Sequence, residues 1–344
     1  MKEHRELRSN QRGFTLIELM VALVLSFILI GAIYRGFTSQ QKAYTVQDQV
    51  AEAQQNARMA MNILLRDIRM AGYGMPDGGI KIKKTTYSNA IKIVKNGKYG
   101  GVDQPFDSIT LVGAFGAPSG YLSRTLSPAS TELYLRSSSE ASNFNSGDKK
   151  YIFIGGLDSL EVLSVSGNKI TLGGQTKVKY PTAILSAGVD SGDTDIPVVD
   201  ASGLATGDVL SLGTETITIT AVSTSTITVD TDLQTAGNQG ITETYPGGTI
   251  INPVPVYRVT AVEYAIDDSG CLTREDKAEG ASAEGLPRLA GDIQDIQITP
   301  DDQDDQRWYT ITLTARTKTP DPDYTENNGH RQRVLQSTVA LRNL

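Results

Sequence analysis

The chain has 344 residues, 39% of them hydrophobic and 21% charged, which is enough apolar material for one large domain or two smaller ones. Its formal net charge of -7 argues against a general nucleic-acid-binding protein, because such proteins carry a basic domain or stripe. The single cysteine, Cys271, excludes an intramolecular disulfide and a cysteine metal cluster.

An apolar segment begins at Phe14 and runs for about twenty residues, the length that a helix needs to span a bilayer. Its one charged residue is Glu18, and an acid at the centre of such a helix costs about 2.5–3.5 kcal/mol. Four basic residues precede it: Lys2, Arg5, Arg8 and Arg12. Because positive residues stay in the cytoplasm, we expect a single-pass protein with the rest of the chain outside it.

The segment differs from an ordinary secretory signal, which has a shorter apolar core and a small-residue cleavage site. It continues instead into Tyr34-Arg35-Gly36-Phe37. The stretch from Arg12 to Glu18, RGFTLIE, resembles the class III signal of type IV prepilins, in which Gly and Phe follow a short basic leader and Glu comes four residues later.

The resemblance implies that a prepilin peptidase cleaves between Gly13 and Phe14 and methylates the new amine of Phe14. Residues 1–13 would then be a leader outside the mature fold. It also implies that Glu18 pairs with the N-terminal amine of a neighbouring subunit, which gives a reason to keep a costly charge in the membrane. The alternative is a plain anchor in which the acid has no partner.

The helix is predicted to continue beyond the membrane half, residues 14–34, through a second half, residues 35–72. The sequence has no proline between Phe14 and Met75, and apolar residues recur at helical spacing. These residues are Val50, Ala53, Ala57, Met61, Leu64 and Ile68. The stripe is short and rich in alanine, so packing onto a sheet is favoured over a coiled coil. We expect the helix to end near Met70, before Gly72.

The segments around Asn56–Arg58 and Leu65–Tyr73 look like the end of the first helix in minor pilins of the PilW type. The sequences VYRV, VEYAID and CLTR between residues 256 and 274, and the final VALRNL, resemble the same family and the related pseudopilin J of type II secretion. The fold class implied is α+β, a long N-terminal helix packed on a large antiparallel β-rich head of residues 73–344.

The head sequence consists of short β-branched runs separated by turn residues, as in antiparallel sheets. Predicted strands are Ala90–Val94, Ser108–Val112, Glu132–Arg136, Tyr151–Ile154, Thr216–Thr220, Thr226–Val229, Val256–Ile266 and Tyr309–Ala315.

An internal echo is also visible in the head. Gly147-Asp148 followed by LSVSGNKITL (163–172) recurs as Gly207-Asp208 followed by TAVSTSTITV (220–229). Two similar β-hairpin modules or chance similarity both account for it, and we place the second copy in an insertion of about residues 186–253.

The sequence offers little material for catalysis, and we expect no enzyme and no cofactor. Its only histidines are His4 and His330, and no phosphate or dinucleotide loop is present. Acidic runs occur at residues 190–195, 301–305 and 321–326. Asp321, Asp323 and Glu326 are weak calcium candidates, because some pilins bind calcium near the C terminus, but solvated turn residues are favoured and no metal is assigned.

One basic patch could contact phosphate in a DNA-uptake pilin. It comprises Lys81, Lys83, Lys84, Lys92, Lys95 and Lys98. Lysines also protect the edges of sheets, and Tyr87 and Tyr99 are the only aromatic residues near enough to stack on bases. The acidic chain as a whole argues against DNA as a partner.

The leading hypothesis is a minor pilin that initiates or caps a type IV pilus. The expected partners are other minor and major pilins, the prepilin peptidase, the inner membrane and its assembly platform. The expected location is the inner membrane, with a periplasmic head, and then the pilus or cell surface. The alternatives are a pseudopilin J-like tip component of type II secretion and an anchored adhesin, binding protein or enzyme that never enters a filament.

Overall fold

The computed structural model describes residues 14–82, 84–95, 98–99, 102–103, 106–144, 150–232, 234–278, 287–301 and 307–342. Its first element is the helix α1, Leu16–Met70. The side chains of Ala57, Met61, Leu64 and Ile68 are buried, as the stripe predicts, whereas residues 14–37 are exposed.

The helix α1 ends where the backbone of Gly72 enters the left-handed region with a φ of 84°. The N–H of Gly72 then donates to the carbonyl oxygen of Val112 at 2.8 Å. The glycine therefore both stops the helix and joins its end to a strand.

The described residues fall into two compact units, 1–55 with 316–333 and 56–315 with 334–344. The first unit holds the beginning of α1 and a loop that contains a 3-10 turn, Asn327–Gly329. Within it the Nε2 of Gln49 donates to the Oγ1 of Thr319 at 2.6 Å.

The head contains one short helix and a series of strands, as the sequence pattern predicts. Before residue 145 the elements are β1 (Ile80–Ile82), β2 (Thr85–Tyr87), β3 (Ile91–Val94), β4 (Lys98–Tyr99), β5 (Val102–Asp103), β6 (Ser108–Ala114), β7 (Gly120–Tyr121), β8 (Glu132–Tyr134) and α2 (Ser138–Ser142). Up to residue 232 they are β9 (Lys150–Ile154), β10 (Asp158–Ser166), β11 (Lys169–Leu172), β12 (Ala183–Ile184), β13 (Asp195–Pro197), β14 (Val209–Leu212), β15 (Glu215–Val222) and β16 (Thr226–Asp230). The last are β17 (Ile250–Ile251), β18 (Pro255–Ile266), β19 (Leu272–Asp276), β20 (Arg288–Ala290), β21 (Ile293–Pro300), β22 (Trp308–Arg316) and β23 (Gln332–Ala340).

The twelve-residue strand β18 organises the largest sheet, which has ten strands. Along one edge it pairs with β7 and then β6, and along the other with β9 and then β19, always antiparallel. The order of one path is β20-β19-β18-β9-β10-β11-β8, and β3 pairs with β6. Its length lets one strand hold two halves of the sheet together.

Smaller sheets complete the head. The order β13-β16-β15-β14 forms a four-stranded sheet, β12 pairs with β17, and β21-β22-β23 form a three-stranded sheet. The four-stranded sheet has a hydrophobic cluster of its own, built from residues 183–251, and a second cluster lies between Leu122 and Val256.

The predicted α+β architecture, a long N-terminal helix followed by a large antiparallel β-rich head, is therefore confirmed. Every strand predicted from the sequence overlaps an observed strand. The boundaries assigned to the leader, the two helix halves, the head and the insertion stay predictions.

Candidate assembly site at the N-terminal helix

The helix α1 begins with a reciprocal capping arrangement between Thr15 and Glu18. The carboxylate of Glu18 accepts hydrogen bonds from the backbone N–H of Thr15 at 2.8 Å and from its hydroxyl at 2.9 Å. In return, the hydroxyl of Thr15 accepts the N–H of Glu18 at 3.3 Å. This is a capping box, which occupies backbone groups that the first turn of a helix leaves unpaired.

The capping box is a role for Glu18 that the sequence interpretation missed, although the spacing Thr-x-x-Glu signals it. It places the carboxylate beside the first turn of the helix. There it faces the backbone of Thr15, the residue after the predicted new N terminus at Phe14. A carboxylate at a helix N terminus is also favoured by the helix dipole.

Phe14 is 90% exposed at the start of the described chain. The other half of the predicted cleavage site, Gly13, lies outside the described residues, together with the rest of the leader. Cleavage between the two residues stays a prediction.

The apolar first part of α1 presents its side chains outwards all round. Residues 14–37 are exposed, and α1 is the helix that is long and apolar enough to cross a membrane. The hydroxyl of Ser26 donates to the carbonyl oxygen of Ala22 at 2.8 Å, so this polar group is satisfied within the helix. A surface of this kind is stable in lipid or against other apolar helices.

The family model described as a prokaryotic N-terminal methylation motif matches residues 8–34. The match supports a type IV pilin-like protein. It covers the predicted cleavage site, Glu18 and the exposed apolar part of α1. For a pilin-like protein it implies processing by a prepilin peptidase and assembly with pilins in a membrane system, and it is consistent with anchoring in the inner membrane. No curated protein and no solved structure matches the chain.

The second half of α1 is fixed to the head by a buried polar cluster around Asp67. The hydroxyl of Tyr264 in β18 donates to Asp67 Oδ2, and Arg66 Nε donates to Asp67 Oδ1 at 3.0 Å. The Nε of Arg274 in β19 lies 3.7 Å from Asp67 Oδ2 and donates to the Tyr264 hydroxyl at 3.2 Å. One helix carboxylate thus joins two neighbouring strands. Nothing in the sequence points to Tyr264 or Arg274 as partners, which lie about 200 positions away along the chain.

Two of the three weak calcium candidates, Asp321 and Glu326, use their carboxylates in contacts within the protein. Asp321 Oδ2 accepts from both Nε and Nη2 of Arg331, at 3.0 and 2.8 Å, and Asp321 Oδ1 accepts the N–H of Asp323. These bonds hold the pKa of Asp321 below its usual range. Glu326 accepts from the hydroxyl of Tyr324 at 3.1 Å. Among the described residues, no three or more His, Cys, Asp or Glu side chains gather in a group able to hold a metal ion.

One lysine of the predicted basic patch takes part in contacts within the chain. The Nζ of Lys95 donates to Asp107 Oδ2 and to the carbonyl oxygen of Ile298, both at 2.6 Å. Lys81, Lys84 and Lys92 are exposed, while Lys83 and the side chain of Lys98 lie outside what the structure describes. Tyr87 is buried and offers no ring for stacking; the side chain of Tyr99 is outside the described part.

His330 has a structural contact within its loop. Its Nδ1 lies 2.6 Å from the carbonyl oxygen of Thr317, so the ring donates a proton to the backbone there. The backbone N–H of the next residue, Arg331, donates to the hydroxyl of Thr317 at 3.1 Å. Together these bonds close the loop on itself.

Proposed function

We propose that the protein is a minor pilin that takes part in the initiation or tip assembly of a type IV pilus. The observation that carries the proposal is the continuity of the prepilin motif with α1: the helix that starts at the matched motif runs unbroken to Met70 and ends on a large head. A rod of this kind is suited to pack beside other apolar helices while the head remains in water.

The chain acts in assembly and not in catalysis. Removal of the leader leaves a positively charged amine on Phe14, and the carboxylate of Glu18 sits one helical turn further on. In the isolated chain Glu18 is occupied by Thr15. On assembly it exchanges these bonds for the amine of a neighbouring subunit, because an ion pair in a membrane is far stronger than in water.

The head sets the subunit apart from a simple rod-forming pilin. Its described part carries several sheets and separate hydrophobic clusters, and it is fixed to α1 through Asp67. The size of the head favours a place at the end of a filament, because no further subunit has to fit above it there. The PilW-like segments of α1 and of β18–β19 support the same assignment.

The test of this proposal is the intact mass and N-terminal sequence of the protein from cells with and without a prepilin peptidase. The expected product begins with methylated Phe14 when the peptidase is present and retains residues 1–13 when it is absent. A mature chain that begins at any other residue contradicts the proposal. Gly13→Leu is expected to keep the leader attached, since the peptidase needs a small residue before the cut.

A further inference from the structure

The head contains the same β module twice, and the duplication reaches well beyond the hairpin echo in the sequence. We call residues 121–181 the first copy and residues 184–246 the second copy. In the first copy the strand order is β9-β10-β11-β8, and in the second it is β14-β15-β16-β13. Each strand thus has a counterpart at the same place in the sheet, joined by the same antiparallel pairings.

The two copies share irregular features that a chance likeness between sheets does not produce. The β10–β11 pairing has a bulge between Val162 and Ser164, and β15–β16 has one between Ile219 and Ala221, 57 positions later in both cases. Isolated bridges also correspond: Leu122 to Leu135 matches Leu185 to Val198, and Leu126 to Tyr180 matches Val189 to Tyr245.

Each copy contains a hydrogen bond from a tyrosine hydroxyl to a carboxylate at the matching place. The hydroxyl of Tyr180 donates to Asp158, and that of Tyr245 donates to Glu215, each at 3.0 Å. Beside each ring is a glycine with positive φ, Gly155 at 54° and Gly213 at 59°. A Cβ on either glycine would lie 2.5 or 2.6 Å from the neighbouring ring.

The copies differ sharply in charge. The first copy has seven Lys and Arg against five Asp and Glu, whereas the second has nine Asp and Glu and no Lys, Arg or His. The same fold therefore exists with a net charge of +2 and of -9. Since the first copy holds the fold without excess acid, the acidity of the second copy is a property of its surface and not a requirement of its core.

The acids of the second copy already take basic partners within the chain. The carboxylate oxygens of Asp208 accept hydrogen bonds from Lys179 Nζ at 2.7 and 2.9 Å, and Asp200 lies 3.6 Å from Arg124. Both cations belong to the first copy. Five further acids are exposed: Asp190, Asp193, Asp195, Asp232 and Glu243. Among the described residues they form no group able to hold a metal ion.

The second copy also leaves apolar surface open where the first is covered. In the first copy, β18 pairs along β9, with Arg258 opposite Ile152 and Val259 opposite Tyr151. The matching strand in the second copy is β14, in which Val209 corresponds to Tyr151 and is 60% exposed.

The chain itself reaches the edge of β14 at one point. The N–H of Asn252 donates to the carbonyl oxygen of Ser211 at 2.6 Å, and Asn252 has a left-handed backbone with a φ of 50°. β14 has no strand partner besides β15 in the described sheet. In the first copy, β18 lies along the edge of β9. In the second copy, Asn252 takes the matching position beside Ser211 of β14, and the position beside Val209 is left open.

We propose that the second copy is a docking module for a positively charged, extended segment of another protein, which lies along β14 at Val209. The first copy shows the kind of occupant that this edge accepts, a strand that brings apolar side chains and one arginine, Arg258, to it. The five exposed acids select for positive charge and steer its approach. The inference adds a contact made by the head to the proposed function.

The test uses the full-length protein in its native cells with the photo-crosslinking residue p-benzoylphenylalanine in place of Val209. The matched control carries it in place of Leu157 of the first copy, which is 67% exposed. The expected result is a protein adduct at Val209 whose linked segment, identified by mass spectrometry, has a net positive charge in the sequence of the partner protein. No adduct, an equal adduct at Leu157, or a linked segment without net positive charge overturns the proposal.

Neutralising the five exposed acids as Asn or Gln is expected to reduce the Val209 adduct about tenfold or more, because the negative charges that attract a basic segment are lost together. Thermal unfolding shows whether this variant folds. If it does not, raising the salt in membrane preparations of the Val209 variant tests the same point, since about 1 M salt screens charges beyond ~3 Å. An adduct that survives neutralisation or high salt overturns the docking module. A chain that is not cleaved at Gly13 in these cells counts against the proposed function, whereas a cleaved chain without the adduct counts against docking alone.

Discussion

The phenol of Tyr264 donates a hydrogen bond to the carboxylate of Asp67, and this pair connects α1 to the longest strand of the head. Burial, together with the negative charge of Asp67, raises the pKa of Tyr264 well above its ordinary value. The hydroxyl therefore keeps its proton and remains a donor. Arg66 and Arg274 supply the positive charge that a buried carboxylate requires.

Tyr264→Phe is expected to lower the free energy of unfolding by about 1–3 kcal/mol, because it deprives buried Asp67 of a donor. The measurement is thermal or urea unfolding of the full-length protein in detergent. Tyr134→Phe is the control: it removes a hydrogen bond to Glu132 on the surface, and a change within about 0.5 kcal/mol is expected. Equal effects of the two substitutions would show that the Asp67 cluster does not hold the helix.

Glu18→Gln separates the two roles of Glu18. Glutamine keeps an oxygen that caps the helix but carries no charge, so cleavage should continue while incorporation into filaments falls at least about tenfold, as expected for loss of a buried ion pair. Thr15→Ala does the reverse, since it removes the hydroxyl of the capping box and leaves the charge; near-normal incorporation is expected. Immunoblots of sheared filaments and membranes measure both. Normal incorporation of the Glu18→Gln variant into filaments would show that Glu18 acts only as a helix cap.

The stability of the second copy should depend on pH in the alkaline range through Tyr245. Burial and the hydrogen bond to Glu215 raise the pKa of Tyr245 to about 12 from its ordinary value near 10. The folded state thus holds the phenol proton more tightly than the unfolded state. Its contribution is complete below pH ~10 and is lost as the pH rises through ~12. Denaturant unfolding at several pH values should show a steeper loss for the natural chain than for Tyr245→Phe, and identical slopes would contradict the assignment.

Gly155→Ala tests the tight approach of backbone to ring in the first copy. The new Cβ would meet the ring of Tyr180 at 2.5 Å, and the left-handed backbone costs a further ~1–2 kcal/mol. Gly167→Ala is the matched control, because Gly167 has a similar φ of 61° but no atom within 4 Å of the added Cβ. Unfolding experiments should show a clearly larger loss of stability for Gly155→Ala. Equal losses would mean that the ring moves aside without cost.

The sequence predicted α1 and the strands well because both depend on local periodicity. The stripe from Ala53 to Ile68 and the absence of proline are properties of neighbouring residues, and so is the alternation in Val256–Ile266. The order of strands around β18 is not local. It depends on which apolar faces fit together after the chain has folded.

In the candidate site, too, the sequence predicted some residues and missed their contacts. Glu18 was identified because an acid in an apolar span is conspicuous, whereas its contact with Thr15 was overlooked although both residues are adjacent on one turn. The partners of Asp67 were beyond sequence reasoning, since a carboxylate in a helix gives no indication of a tyrosine 197 positions away. Lys95 is exposed, as a surface lysine is expected to be, but its contacts with Asp107 and the backbone of Ile298 were not indicated by the sequence.

The chain enters and leaves the second copy side by side, since Ala183 in β12, just before this copy, pairs with Ile251 in β17, shortly after it. Chain ends one strand spacing apart, about 4.7–4.9 Å, can be joined directly without disturbing the sheet from which they emerge. A gene can therefore gain or lose this stretch in a single event and still encode a head that folds. Such an event would change the size of the head by a whole module and leave the sequence of the rod and of its membrane end unchanged.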